Sequence, residues 1–159
     1  MPIDPLHLRR MLSRFPTGVT VVGTRHQPEG VCGLTVNAFA SVSLEPPLVL
    51  VCVDRNSNTH NCVVASGVFT VNVLASGHEE LATSFARKRD DKFDGVAHRV
   101  TDSGAPVMDD VVAWMECSVR DTFEGGDHTI FMGEVLQAEE GEGRPLVFFR
   151  SGYTTTVNE

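Results

Sequence analysis

The sequence predicts a mainly β fold in one domain, a closed antiparallel β-barrel carrying a few helices. Three observations carry that reading. Strand-length runs rich in β-branched residues recur along the chain, at 19–24, 31–39, 48–53, 68–74 and 111–123. They are joined mostly by hairpins, not by strand–helix–strand alternation, and no G-x-G-x-x-G follows a strand, which disfavours a doubly wound nucleotide fold. The chain has 159 residues without repeat or linker, one domain's length and enough to bury a core. Closing such a sheet on itself leaves no strand edge unpaired.

Taken in order, Asp4 caps a first helix with Pro5 at its first position. It runs to about Ser13, with Leu8, Met11, Leu12 and Phe15 on one apolar face, and Pro16, Thr17 and Gly18 end it. VTVVGT (19–24) is a strand, HQPEG (26–30) a turn, and 31–39 the returning arm of a hairpin. Ala40 to Ser43 is short, hydroxyl-rich and turn-like. Pro46 and Pro47 hold the chain extended ahead of the apolar strand 48–53. Ser57 is an N-cap for a helix reaching about Ser66, which Gly67 closes. A strand at 68–74 leads to a helix at 78–88, with Glu79 and Glu80 in its acid-favouring first turn. RKRDDKFD (87–94) is a charge cluster, expected as a solvated loop, and 98–106 is a short extended or irregular stretch with turn residues. The strand 111–123 turns at Gly125, Gly126 and Asp127 and returns over 128–139. A short strand at 145–150 precedes a polar tail at 152–159, for eight or nine strands and three helices in all.

The net charge of −8 and the lack of a Lys/Arg patch argue against nucleic acid. The four cysteines, Cys32, Cys52, Cys62 and Cys117, form no C-x-x-C pair and are expected as buried reduced thiols, with no metal site. The stretch 1–15 is amphipathic rather than apolar, and no run is long enough to cross a bilayer, so a cytoplasmic protein without a membrane role is expected. The stretch 31–59 holds the most chemistry. Two strands there converge on a hydroxyl-rich loop, and a helix N-terminus lies close by. Unpaired backbone N–H groups and the helix dipole attract phosphate, so a flat polar ligand carrying a phosphate suits this arrangement.

The string GLTVNAFASVSLEPPLVLVCVD, then SNT, FTVNVL, KFDG and GGDHT, resembles the flavin reductase family, the short-chain NAD(P)H:flavin oxidoreductases that serve two-component monooxygenases. The resemblance runs from Leu8 to about Tyr153 and implies an FMN-binding split barrel, Greek-key in layout and homodimeric. Carried over by position, it implies that Thr35, Asn37 and Ala38 border the flavin ring, with Gly33 and Val36 beside them. Ser41 and Ser43 lie in the matching hydroxyl loop, and Cys52, Val53 and Asp54 run along the ring or ribityl chain. Asn58 and Thr59 hold the phosphate, with Arg87 or Lys92 adding charge. Ser84 and Phe85 match a second flavin contact. His128 matches the histidine linked to nicotinamide binding and is the candidate catalytic residue; Phe149, Arg150 and Tyr153 match the C-terminal segment near the same nucleotide. Many relatives carry Ser where Ala38 stands, so one hydrogen bond to the flavin is missing there or is made by backbone.

The implied activity is hydride transfer from NADH or NADPH to FMN or FAD, supplying reduced flavin to a partner monooxygenase. The cofactors carry such a reaction, and the protein stacks and orients the two rings. Two other readings stand beside it. One is a flavin-storage module on the same barrel, which has no use for His128. The other is an amine oxidase like the pyridoxamine-phosphate oxidases, disfavoured because 87–92 is the one basic cluster.

Overall fold

The computed structural model describes residues 1–157. Helix α1 (Pro5–Leu12) is capped by Asp4, whose carboxylate accepts the His7 N–H at 2.9 Å. It is followed by β1 (Thr17–Gly18), β2 (Thr20–Arg25), β3 (Val31–Val36), β4 (Phe39–Ser43) and β5 (Leu48–Asp54). Helix α2 (Asn58–Ser66) leads to β6 (Val68–Val73), and α3 (Glu79–Phe85) to β7 (His98–Val100) and β8 (Pro106–Met108). The long pair β9 (Ala113–Gly125) and β10 (His128–Glu140) precedes β11 (Val147–Phe149) and β12 (Gly152–Thr154).

Seven strands form one antiparallel sheet in the order β3-β2-β6-β9-β10-β5-β4, while β1-β11-β12 and β7-β8 form two small sheets. Strand β2, one in from the β3 edge, is covered on both faces, so its side chains alternate between two cores. Val21 packs with Leu74, Phe85, Trp114 and Leu146; Val22 packs with Val51, Val53, Phe69 and Phe131. Asn72, fully buried on β6, is satisfied by backbone on both sides: it donates to the Val21 carbonyl at 3.1 Å and accepts from the Met108 N–H at 2.9 Å. A buried amide is tolerated only with such partners, and these two pin β8 across the sheet.

Several expectations are corrected. No ladder joins β3 to β4 among the described residues, so the sheet is not closed by hydrogen bonds and keeps two edges. Those edges are consecutive in sequence, separated by Asn37 and Ala38. Residues 39–43 are a strand, not a turn, because Phe39 to Ser43 pair with β5. The second hydroxyl-bearing arm therefore carries ladder bonds that its composition did not advertise. The helix expected over 78–88 stops at Phe85, since the charged residues beyond it have no apolar face to bury. Part of the expected polar tail forms β12, paired with β11; the tail's last two residues, 158 and 159, lie outside the described residues. The strand count reaches twelve among the described residues. Cys32 and Cys62 are joined by a disulfide, and only Cys52 and Cys117 are free, against the expected four thiols. The pairing was hidden because 30 residues separate the two in sequence and only the docking of α2 on β3 brings them together. No described helix is long and apolar enough to cross a membrane.

Candidate functional site

The site is built around β3. Its first half runs past a cavity of about 390 Å³ that β3 shares with the N-terminus of α2 and the loop after α3. Ser57 caps α2: its hydroxyl accepts the His60 N–H at 3.2 Å and donates to the Asp54 carbonyl at 2.7 Å. The Asp54 carboxylate takes the Asn56 N–H at 2.8 Å, which fixes the turn entering the helix. These bonds leave Asn58 and Thr59, in the first turn, on the cavity wall. Thr59 is buried, and its hydroxyl has no partner in the chain among the described residues.

Opposite them stands Lys92, with 9% of its surface exposed. Its ammonium donates to the carbonyls of Gly33 at 2.9 Å and Phe85 at 3.0 Å, and a third N–H is left over. Burial first, and then the neighbouring Arg89 guanidinium, lower its pKa from the ordinary value. A buried cation held by carbonyls alone gains from an anion. The cluster 87–94 is therefore not wholly a solvated loop: Lys92 and Phe93 are buried, and Arg89 and Asp90 line the cavity.

Just past the end of β3 lies a second, more apolar cavity of about 660 Å³. Asn37, Ala38 and Asp127 meet Leu8 and Leu12 of α1 there, with Phe148 and Ser151 behind. The Asn37 side chain is half-buried and makes no hydrogen bond with another described residue. The Thr17 hydroxyl, on the same wall, is buried without a partner among the described residues. Ala38 is exposed, but its carbonyl is committed, accepting the Cys52 N–H at 3.0 Å. From Gly33 to Asn37 the chain advances four residues, about 13 Å in extended form. The two cavities thus adjoin successive parts of the chain, one along β3 and one just past its end. A ligand with an anionic end, a polar linker and a flat ring fits the donors: helix N–H groups and Lys92 at one end, the unpartnered Asn37 amide at the other.

His128, half-exposed at the start of β10, faces Asp54 across the ladder and holds the Asp127 carboxylate through Nδ1 at 2.7 Å. That hydrogen bond, and then the imidazole's charge, lower the Asp127 pKa. Asp127 lines the second cavity, so its hydrogen bond holds His128 beside that cavity.

The other expected residues divide. Val36, Val53 and Phe85 are core, with exposures of 4%, 0% and 0%, so their side chains pack inward and only their backbone groups remain for a ligand. Phe85 instead closes on Gly33, whose missing Cβ makes room for it. The Thr35 hydroxyl donates to the Ala82 carbonyl at 2.6 Å, tying β3 to α3. Ser41 is exposed and Ser43 half-buried on β4. Cys52 is half-buried, and burial raises its thiol pKa, as fits a packed residue rather than a redox thiol. Ser84 and Arg87 line a separate groove on the outer side of α3 with Glu79 and Glu80, away from both cavities. Phe149 and Arg150 stack on each other at 5.2 Å, and Tyr153 packs on Phe148. Sequence reasoning missed Thr17, Phe148 and Ser151, which reach the second cavity through the pairing of β1 with β11. It also missed His26 and Cys32, which the β2–β3 hairpin carries to the first. No local motif marks any of the five.

A family model described as a flavin reductase like domain matches residues 12–156. The chain is 39% identical over 155 residues to the flavin-dependent monooxygenase reductase subunit HsaB of Mycobacterium tuberculosis, covering 96% of this chain and 82% of that relative. It is 40% identical over 152 residues to a probable flavin reductase of Rhizobium meliloti; this is 96% of the chain but only 49% of that relative, about half its length. The fold superposes on the Streptomyces globisporus NADH:FAD oxidoreductase SgcE6, solved with NAD and FAD fragments, with a TM-score of 0.89 and 40% identity, covering 97% of this chain and 95% of that one.

Proposed function

The chain belongs to the flavin reductase-like family, and on that premise we propose that it transfers a hydride from NADH or NADPH to FMN or FAD and delivers the reduced flavin to a flavin-dependent monooxygenase. The carrying observation is the pair of cavities spaced along β3, one rich in anion donors and one apolar with a free amide. Bound there, the flavin supplies the hydride acceptor. The chain's own part is placement. Asn58, Thr59 and Lys92 hold the phosphate end; Asn37 and the backbone of Ala38 set the ring's rotation; the apolar wall of Leu8, Leu12 and Phe148 excludes water. His128, kept in position by Asp127, meets the nicotinamide nucleotide on the open side, with Arg150 and Tyr153 beyond it. Holding two rings in reactive register supplies most of the acceleration such a reaction needs.

The finer parts of the reading go with it. The seven-stranded sheet, with its neighbouring unpaired edges at β3 and β4, is a split barrel of Greek-key layout, and the whole chain is one such domain. The protein is a homodimer: α1 has no buried residue, and Leu12 and Phe15 are 63% and 71% exposed. That apolar face beside the second cavity suits a second copy. Reaction in the cytoplasm follows from where reduced nicotinamides are held. The curated relative named as a monooxygenase reductase subunit supports the choice of partner. The test is to mix purified protein with NADH or NADPH and free FMN or FAD and follow the nicotinamide absorbance. Flavin-dependent loss of the band is expected. Tight flavin retention without turnover would mean a storage module instead.

A further inference from the structure

Cys32 lines the cavity that holds Asn58, Thr59 and Lys92, and its disulfide partner Cys62 sits one turn further along α2. The bond therefore ties the helix whose N-terminus faces the cavity to the strand that forms the opposite wall. Both cysteines are buried, at 7% and 5% exposure, and Cys32 lines the cavity, so the cavity is the route by which a reagent meets Cys32. The Asn58 amide donates to the Cys32 sulfur at 3.8 Å, so the orientation of a phosphate-facing side chain depends on that atom.

We propose that Cys32–Cys62 is a reversible thiol–disulfide site whose redox state sets the cavity's affinity for the phosphate end of the flavin. The inference rests on the proposed function. A thiolate of a dithiol reductant attacks Cys32 Sγ from the cavity; the S–S bond breaks, and Cys62 leaves as a thiolate that takes up a proton. The reductant's second thiol then displaces Cys32, so the protein gains two electrons and two protons and the reductant leaves as a disulfide. Hydrogen peroxide reverses the step: one thiolate becomes a sulfenic acid, the other displaces water from it, and two waters form per bond made. In the reduced state the sulfurs are no longer bonded and move apart to van der Waals contact. The first turn of α2, with Asn58 and Thr59, moves with them. The oxidised state is the preorganised one, which spares the ligand the cost of ordering the cradle. Disulfides inside reducing compartments are usually of this exchanging kind. Linkage requires the converse: a phosphate seated in the cavity protects the disulfide from reduction.

The test compares the full chain with and without prior treatment by excess dithiothreitol, using FMN and riboflavin as probes. Thiol titration of the denatured chain is expected to rise from two to four as the bond opens. The Kd for FMN, read from flavin fluorescence, rises about tenfold on reduction. That for riboflavin, which lacks the phosphate, stays unchanged. The C32S/C62S double variant binds FMN like the reduced chain under both treatments. Saturating FMN slows the reduction, and riboflavin does not. Equal FMN affinity in both states, or a titre of four that hydrogen peroxide cannot lower, overturns the inference while leaving the flavin reading intact. Absence of flavin binding in either state overturns the flavin reading itself, and the inference with it.

Discussion

Gly33→Ala is the sharpest probe of how the first cavity is built. A Cβ at this position would lie 2.7 Å from Phe93 Cε2 and 2.8 Å from Phe85 Cε1. Carbon atoms in contact prefer about 3.5–4.0 Å, so something must yield by roughly 1 Å. The two rings have little freedom to do so. Both are buried, at 7% and 0% exposure, and they meet edge to face at 4.8 Å. The backbone is no freer, because Gly33 pairs with Gly23 on β2 and its carbonyl anchors the Lys92 ammonium. Overpacking of this kind costs typically 1–3 kcal/mol, and two rigid aromatic neighbours put this case near 2 kcal/mol. For a domain of this size that is a fall in Tm of about 4–8 °C. Thermal melts and urea titration of the purified variant read it directly, and a weaker FMN affinity should accompany it as Lys92 is displaced. A variant within about 0.5 kcal/mol of the parent would refute the argument, since it would mean that Phe85 and Phe93 are not held where the packing puts them.

Other perturbations separate the roles assigned to the two cavities. Thr59→Val keeps the shape and removes a hydroxyl: the Kd for FMN should rise about tenfold, the worth of one hydrogen bond to a charged group, while the Kd for riboflavin should not move. Lys92→Met should change the pH dependence of stability. The folded chain holds the Lys92 proton less tightly than the unfolded chain, so the parent's stability should rise with pH between the lowered folded pKa and the ordinary value of 10.5. Denaturation across that window should show the slope in the parent and its loss in the variant. His128→Ala should raise the KM for NADH about tenfold, a charge-assisted contact's worth, and leave the FMN Kd alone; an unchanged KM would remove His128 from the nucleotide's path.

Local signals were legible in the sequence, and contacts between distant segments were not. Asp4 and Ser57 announced their caps because an N-cap is a short-range hydrogen bond, and both side chains make it. The β2–β3 hairpin and the β9–β10 turn were readable from their turn residues. Asn58 and Thr59 were legible as polar groups at a helix N-terminus, and Asn37 as an amide in an apolar strand that wants a partner; the fold puts all three on cavity walls. Local composition makes Lys92 one more solvated charge within RKRDDKFD, and the resemblance alone offers it to a phosphate, since nothing local reveals that Gly33 and Phe85 turn their carbonyls toward it. Cys32 looked like a core thiol for the same reason, its mate being supplied by helix docking. The strand 39–43 was misjudged because its small hydroxyl residues read as a turn, whereas an edge strand facing solvent and ligand has little apolar surface to show. The close of the barrel was overdrawn: avoiding exposed edges is a general pressure, and here the two edges were left beside each other at the site.

The short ladder that joins Thr17 to Phe148 links the first strand to the eleventh, and the Arg150 N–H adds a bond to the Ser13 carbonyl. Such a contact cannot form on a ribosome until the segment that holds Phe148 and Arg150 has emerged. The pairs β2–β3 and β4–β5 can form well before then, but the wall that Phe148 supplies waits for β11. A growing chain can therefore bring Asn58, Thr59 and Lys92 together around the first cavity before Phe148 arrives to wall the second.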